Sequence, residues 1–232
     1  MPMSIAIGDI HGCLEPLQAL VARLPPEREL VFLGDYVDRG PSSAQVIDYL
    51  QRLAGERPCV FLMGNHEAMM AAAMERRDEI SLWLVNGGDA TLASYGHDPH
   101  RWAQLPAERR ELPGYRAFHR RLRLYHEDAH AIYVHAGIDL DVPDLEQQDP
   151  QVLLWVRERF FRNAERWQGK TIVFGHTPTL SMGLPAAQIF QSHRLRGIDT
   201  GCVYGGALSA LDAATDELWQ VPAGHSRMAL RG

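Results

Sequence analysis

Five short apolar runs, each ending in a glycine-associated cluster of polar residues, constrain this chain more than any other feature. The first three are Met3–Ile7, Leu30–Leu33 and Cys59–Met63. Between them Leu14, Leu17, Leu20, Val21 and Leu24 recur at helical spacing until Pro25-Pro26. Val46, Ile47, Leu50 and Leu53 do the same between Ser42, a candidate N-cap, and Gly55, the expected end of that helix. Strand, helix, strand, helix, strand predicts two βαβ units, hence a parallel sheet with right-handed crossovers. The runs are unbroken rather than alternating, as strands covered on both faces read.

From Glu67 to about Leu124 the pattern turns helical and polar, and no strand is expected there. Glu67–Met74 has high helix propensity, Leu82–Gly88 reads as a helix ending at its glycine pair, and Pro99, Pro106 and Pro113 break the remainder. No linker-like stretch sets this region off, so it is expected as an insertion at about 67–124 within one domain spanning 1–232. Strands resume at Ala131–Val134, Thr171–Phe174 and Arg196–Ile198, and Ala207–Leu211 with Glu217–Val221 reads as a closing hairpin. An α/β first half and a strand-rich second half predict two packed sheets with helices outside.

Composition narrows the function classes. A net charge of −6 over 232 residues argues against a nucleic-acid binder that works by neutralising phosphates. No apolar run approaches the roughly 18 residues that span a bilayer, and no signal-peptide pattern opens the chain, so a cytoplasmic location without membrane partners is expected. Cys13, Cys59 and Cys202 form no CxxC pair and are expected as reduced, mostly buried thiols.

The polar clusters carry the chemistry: Asp9/His11, Asp35/Asp38/Arg39, Asn65/His66, His135 and His176. Ligands in α/β sheets bind outside the carboxyl ends of the strands, so the five clusters should converge. Asp9 and His11, two apart on an extended segment, point to one side and can clamp one ion. Asp35 can bridge two ions, with Asn65, His135 and His176 completing the second. Mixed oxygen and nitrogen donors without thiolate suit Mn, Fe or Zn. Two such ions lower the pKa of a bridging water and clamp a displacement at phosphorus. If Asn65 faces the metal from an extended segment, adjacent His66 diverges toward the leaving group as general acid, with Asp38 orienting its ring. Arg39 and one of Arg157 or Arg159 are placed to hold phosphate oxygens. His97, His100, His119, His126, His130, His193 and His225 fall in no cluster and are expected at the surface or in local hydrogen bonds.

Gly8-Asp9-Ile10-His11-Gly12, Gly34-Asp35-Tyr36-Val37-Asp38-Arg39-Gly40 and Gly64-Asn65-His66-Glu67, followed by His135-Ala136-Gly137 and Gly175-His176-Thr177, resemble the signature set of the PPP-type phosphoprotein phosphatases. That group belongs to the calcineurin-like metallophosphoesterases, and the match spans about residues 4 to 211. The resemblance implies a double β-sandwich with flanking helices in four layers, α/β/β/α. It implies a manganese-type dimetal centre and direct attack by a metal-bridging hydroxide without a phosphoenzyme. It assigns Asp9, His11 and Asp35 to one metal, and Asp35, Asn65, His135 and His176 to the other. Asp38 and His66 become the acid dyad, and Trp155–Arg159 resembles a segment of small phage-type enzymes whose first arginine, here Arg157, contacts phosphate.

Two departures, Met63 where eukaryotic members have Arg and the absence of a long C-terminal regulatory loop, point to the compact bacterial or phage branch. Asp38 and Glu67 are the choices of protein phosphatases; symmetrical diadenosine tetraphosphate hydrolases carry Ala and Asp there. The expectation is therefore a phosphoserine/phosphothreonine protein phosphatase, acting on a phosphorylated protein or a small phosphate ester. The alternatives are a symmetrical bis(5'-nucleosyl)-tetraphosphatase and a catalytically silent metal-binding scaffold.

Overall fold

Alternate residues of a strand face opposite ways, and in this chain both ways are apolar. The fold was read from a computed structural model that describes residues 4–224; Met3 and His225 lie outside the described residues. The first three runs form β1 (Ile5–Ile7), β2 (Leu30–Phe32) and β3 (Cys59–Leu62), parallel and joined by α1 (Leu14–Val21) and α2 (Ser43–Glu56). The helical stretch follows as α3 (Asn65–Glu75), α4 (Ile80–Trp83), α5 (Asp89–Ser94), α6 (Pro99–Ala103) and α7 (Tyr115–His119).

Then come β4 (Leu122–Arg123), β5 (Tyr125–Glu127), β6 (Ala131–Val134), α8 (Pro150–Trp155), α9 (Glu158–Phe161), β7 (Thr171–Phe174), β8 (Phe190–Ser192) and β9 (Leu195–Gly197). β10 (Ala207–Asp212) and β11 (Glu217–Pro222) close the chain as the expected antiparallel hairpin. One sheet has the order β11-β10-β1-β2-β3-β4, the other β5-β6-β7-β9-β8.

The alternation sorts the core into three layers. Ala6, Val31, Leu33 and Leu62 of the first sheet meet Ala131, Tyr133 and Val173 of the second. Ile5, Ile7, Leu30, Phe32 and Phe61 point away from that interface into the helices, with Leu17, Val46, Ile47 and Met70. On the far side Ile132, Val134, Ile172 and Phe174 pack on Leu153, Phe160 and Phe161 of α8 and α9. Two sheets face to face with helices on both outer faces give the expected α/β/β/α arrangement.

Besides β5 and β8, for which no strand was expected, local expectations differ from the structure at four points. A strand, β4, closes the stretch where none was expected, because two residues paired to β3 are too short to leave a pattern. The glycine pair does not end a helix. Gly87 (φ 104°) kinks the chain within Leu84–Gly88, which runs on into α5. α2 passes Gly55 and stops at Glu56, where extended Arg57 precedes Pro58. Ser42 stands at the N-cap of α2, yet its side chain makes no capping bond. No described helix is long and apolar enough to cross a membrane. The three thiols are free, with Cys202 buried and the other two half-buried.

Candidate metal centre

The carboxyl ends of β1, β2, β3, β6 and β7 deliver Asp9, Asp35, Asn65, His135 and His176 to one edge of the double sheet, all of them buried. The backbone there is unusual. Of the eight non-glycine residues with positive φ among the described residues, five are His11 (44°), Asp35 (52°), Asp38 (71°), Arg39 (69°) and His176 (63°). Left-handed backbone at such residues costs energy and persists only where the surroundings enforce it. Here the enforcement is visible. Glu67, fully buried in the first turn of α3, accepts the backbone N–H of Asp35 (2.9 Å), Tyr36 (2.8 Å), Val37 (3.3 Å) and Gly64 (3.0 Å).

Two expectations about how the side chains reach the centre are corrected. His11 arrives from a left-handed turn rather than by alternation along a strand with Asp9. Asn65 and His66 are the first two residues of α3, so they diverge by the helical angle, not across an extended chain.

Two of the rings are held to the backbone through Nδ1. His11 Nδ1 and His135 Nδ1 lie 2.8 Å from the carbonyl oxygens of Val37 and Leu33, and a carbonyl only accepts. Both rings therefore carry the proton on Nδ1 and turn the Nε2 lone pair inward, the arrangement metal-binding histidines use. Nε2 of His176 is buried with no hydrogen-bond partner, an orphaned donor atom that a cation would satisfy. Burial lowers all three rings below the ordinary imidazole range, His176 to about 2, which keeps them neutral ligands.

Asp35 lies between two groups of donors. Its Oδ2 is 3.4 Å from His11 Nε2 and 4.0 Å from His66 Nε2, while Oδ1 is 3.5 Å from His135 Nε2. His11, Asp35 and His66 form one set whose ligand atoms lie within 4.8 Å of one another, and Asp35, His135 and His176 form another. The amide of Asn65 meets His135 Nε2 at 3.0 Å. Asp9 accepts the backbone N–H of His176 on both oxygens, at 3.1 and 3.0 Å. The first set thus holds His66 where the sequence reading had Asp9.

Charge at the centre also calls for cations. Burial, then the neighbouring Asp199 and Asp35 carboxylates, push Asp9 well above the usual carboxylate range. Burial likewise raises Asp199, to about 6. Burial alone would raise Asp35 too, but the surrounding rings, His135 foremost, pull it below that range. Crowded acids beside inward lone pairs and an orphaned imidazole nitrogen suit divalent metal ions.

Around this centre the remaining predicted residues are placed as follows. His66 Nδ1 is 2.7 Å from Asp38 Oδ2. Asp38 also accepts from Trp83 Nε1 on both oxygens at 3.0 Å and from the Thr91 hydroxyl at 2.7 Å. A guanidinium nitrogen of Arg39 sits 2.5 Å from His11 Nε2, and its backbone N–H donates to the Gly87 carbonyl. A Cβ on Gly87 would lie 2.7 Å from that same nitrogen, which gives Asn86-Gly87-Gly88 a structural reason. Arg157 donates to the His176 carbonyl (3.2 Å) and the Thr177 hydroxyl (3.3 Å), whereas Arg159 pairs with Asp139 at the surface. Glu67, Trp83, Thr91 and Asp199 were not assigned roles from sequence. Only Glu67 left a signal, three residues after Gly64 in the position of a capping box.

Residues 4–198 match the calcineurin-like phosphoesterase family, Metallophos. The chain belongs to that family. It is similar to the asymmetrical bis(5'-nucleosyl)-tetraphosphatase PrpE of Halalkalibacterium halodurans, 29% identical over 245 residues that cover 93% of this chain and 92% of the relative. The same holds for PrpE of Bacillus cereus strain 03BB102, 29% identical over 244 residues with the same coverage. Among solved structures, a candidate diadenosine tetraphosphatase aligns with a TM-score of 0.66 at 24% identity over 97% of both chains. A protein serine/threonine phosphatase of Saccharomyces cerevisiae aligns with a TM-score of 0.59 at 16% identity, over 94% of this chain and 78% of its own.

These relatives overturn the expected protein phosphatase. Relatives matched along nearly their whole length are named for dinucleotide hydrolysis, and that name is asymmetrical, not the symmetrical activity weighed as the alternative. The error has a physical cause. Asp38 points at His66, Trp83 and Thr91, and Glu67 at four backbone amides of this metallophosphoesterase. Both support the centre from behind and neither meets the part of a substrate that distinguishes a protein from a nucleotide.

Proposed function

We propose that this metallophosphoesterase hydrolyses a phosphoanhydride bond of a bis(5'-nucleosyl) tetraphosphate, cutting it asymmetrically. The observation that carries the substrate class is the near full-length similarity to the PrpE relatives. The chemistry rests on two groups of donors that share Asp35, and because the His66 ring of the first group is tied to Asp38, the buried carboxylate of Asp9 takes its place as ligand in this reading. Asp9, His11 and Asp35 would hold one divalent ion, and Asp35, Asn65, His135 and His176 a second, with manganese, iron or zinc suited to the mixed donors. When bound, such ions supply Lewis acidity and a water of lowered pKa.

The chain's own residues do the rest. Arg39 and Arg157 flank the centre and offer planar donor forks to the phosphate oxygens. His66, with Nδ1 tied to Asp38, presents Nε2 on the side of Asp35 and delivers a proton to the departing phosphate oxygen as the P–O bond breaks. Water supplies the oxygen that phosphorus gains, and the two products leave as a nucleoside triphosphate and a nucleoside monophosphate.

Incubating the Mn-loaded protein with diadenosine tetraphosphate and separating the products tests this. ATP and AMP in equal amounts are expected. ADP as the sole product would make the cut symmetrical, and an intact dinucleotide beside rapid cleavage of simple phosphate esters would remove the substrate class.

A further inference from the structure

Between the start of α1, the turn at Arg39–Ser42, α5 and the segment Cys202–Gly205 lies an open cavity of about 700 Å³. It meets the metal centre through Arg39, which lines it while touching His11. Breaking a P–O bond at the centre makes no use of this space. Its size falls within the range of roughly 300–1,000 Å³ that small-molecule sites occupy.

The walls say what would fit. Cys13, Ala93 and Val203 present apolar surface, and Ser42 and Ser94 interrupt it with hydroxyls. Charge is divided: among the described lining residues Arg39 is the sole cation and Glu15 the sole anion. A polyphosphate is attracted by Arg39 and repelled by Glu15. The remaining volume suits a flat, uncharged group that carries hydroxyls. Tyr204 is not itself in the lining but lies in the chain between lining residues Val203 and Gly205, 52% exposed and with its ring centroid 5.5 Å from the guanidinium carbon of Arg39, which does line the cavity. An aromatic ring left exposed beside an arginine is a stacking platform of the kind that takes nucleobases.

Resting on the dinucleotide reading above, we infer that this cavity seats one nucleoside of the substrate. The 5'-phosphate lies at Arg39, the ribose in the adjoining cavity, and the base stacks on Tyr204 beside Arg39. The cavity, not the metal centre, then sets the preference for a nucleotide over a simple phosphate.

The test compares kcat/KM for diadenosine tetraphosphate with that for acetyl phosphate, whose organic part is too small to enter the cavity. The ratio of the two, measured on one Mn-loaded preparation, cancels any loss of folded or metal-bearing protein. Tyr204→Ala should lower the ratio about tenfold or more and Tyr204→Phe should keep it within about twofold, as loss and retention of base stacking require. Ala93→Trp, which fills the cavity from α5, should lower it as well, and calorimetric binding of AMP should weaken in Tyr204→Ala and Ala93→Trp. If the wild type cleaves the dinucleotide but both variants keep its ratio within about twofold, the cavity is not the nucleoside site. A wild type that cleaves only acetyl phosphate would instead overturn the dinucleotide reading, and the cavity's role with it.

Discussion

Replacing Glu67 with Gln tests whether one buried side chain holds the catalytic loop in its left-handed shape. Glu67 Oε2 accepts from the Asp35 and Gly64 amides, and Oε1 from those of Tyr36 and Val37. Gln is nearly isosteric, but one of its two positions becomes an NH2 that faces two N–H donors. Burial, then the Asp35 charge, raise Glu67 to about 8, but both its oxygens face only N–H donors, which favour the ionised form. Two bonds to that charged acceptor are lost, each worth about 1.5–3 kcal/mol, and two buried amides are left unpaired. The expected cost is about 3–6 kcal/mol, a large share of the roughly 5–15 kcal/mol that holds a domain together.

The assay is urea unfolding of metal-free protein, so that ion binding to the native state does not add to the difference. The midpoint should fall with the slope m unchanged, and Tm should drop on the order of 10 °C. Because Asp35 rides on the same loop, the variant should also bind Mn more weakly. A cost under about 1 kcal/mol in the metal-free protein would refute the reasoning and place the restraint on the loop elsewhere.

Four further outcomes are expected. His66→Asn should keep the full metal content, measured by plasma mass spectrometry, while lowering kcat by about 10²–10⁴ on an alkyl phosphate and by less on the dinucleotide, whose phosphate leaving group is a weak base; Asp35→Asn should lose metal, and Mn should raise the Tm of the wild type but not of that variant. A loss of one ion in His66→Asn would make His66 a ligand instead. Gly175→Ala places a Cβ 2.0 Å from Asp9 Oδ1, which the His176 amide holds in place, so bound metal should fall while the far-ultraviolet circular dichroism stays that of the wild type. Asp128 accepts from His130 and Ala131 N–H, the Tyr133 hydroxyl and Ser4 N–H, and although burial works the other way these bonds hold it below the usual carboxylate range. A native pKa below the unfolded one stabilises the fold above about pH 4 and is lost as pH falls through the native value. Asp128→Asn should therefore cost roughly 1 kcal/mol at pH 7, after solvent screening, and the gap should close in acid urea titrations.

The strand ends were legible because each couples a physical rule to a residue type. An unbroken apolar run must be buried on both faces, and a glycine followed by Asp, Asn or His at its end has no packing purpose. Asp9, Asp35, Asn65 and His176 could be read on that ground, and His135, which follows Val134 directly and has its glycine two residues later, by its place at the end of the same kind of run. His11 lies beside Asp35 and His66, but it gets there by a geometry other than the expected one, since nothing in Asp9-Ile10-His11 reveals a left-handed turn. β4, β5 and β8 were missed because two or three residues leave no period to detect. Trp83 and Thr91 were missed because they reach Asp38 from 45 and 53 positions away, on helices whose patterns look like ordinary packing.

The substrate was harder to read for a related reason. Every motif in the chain describes the bond-breaking centre, and that centre is common to enzymes that differ in what they carry to it. Asp38 and Glu67 seemed to discriminate because they differ between branches, yet both are taken up by protein groups, Asp38 by the His66 ring and Glu67 by backbone amides. A residue can report substrate only where it meets the part of the substrate that varies. On the nucleoside proposal that surface belongs to Glu15 and the small residues of α5 in the cavity wall and to exposed Tyr204 beside it, none of which stands in a motif. Their information lies in being exposed, apolar or oppositely charged at one end of a cavity, which is a property of the folded chain.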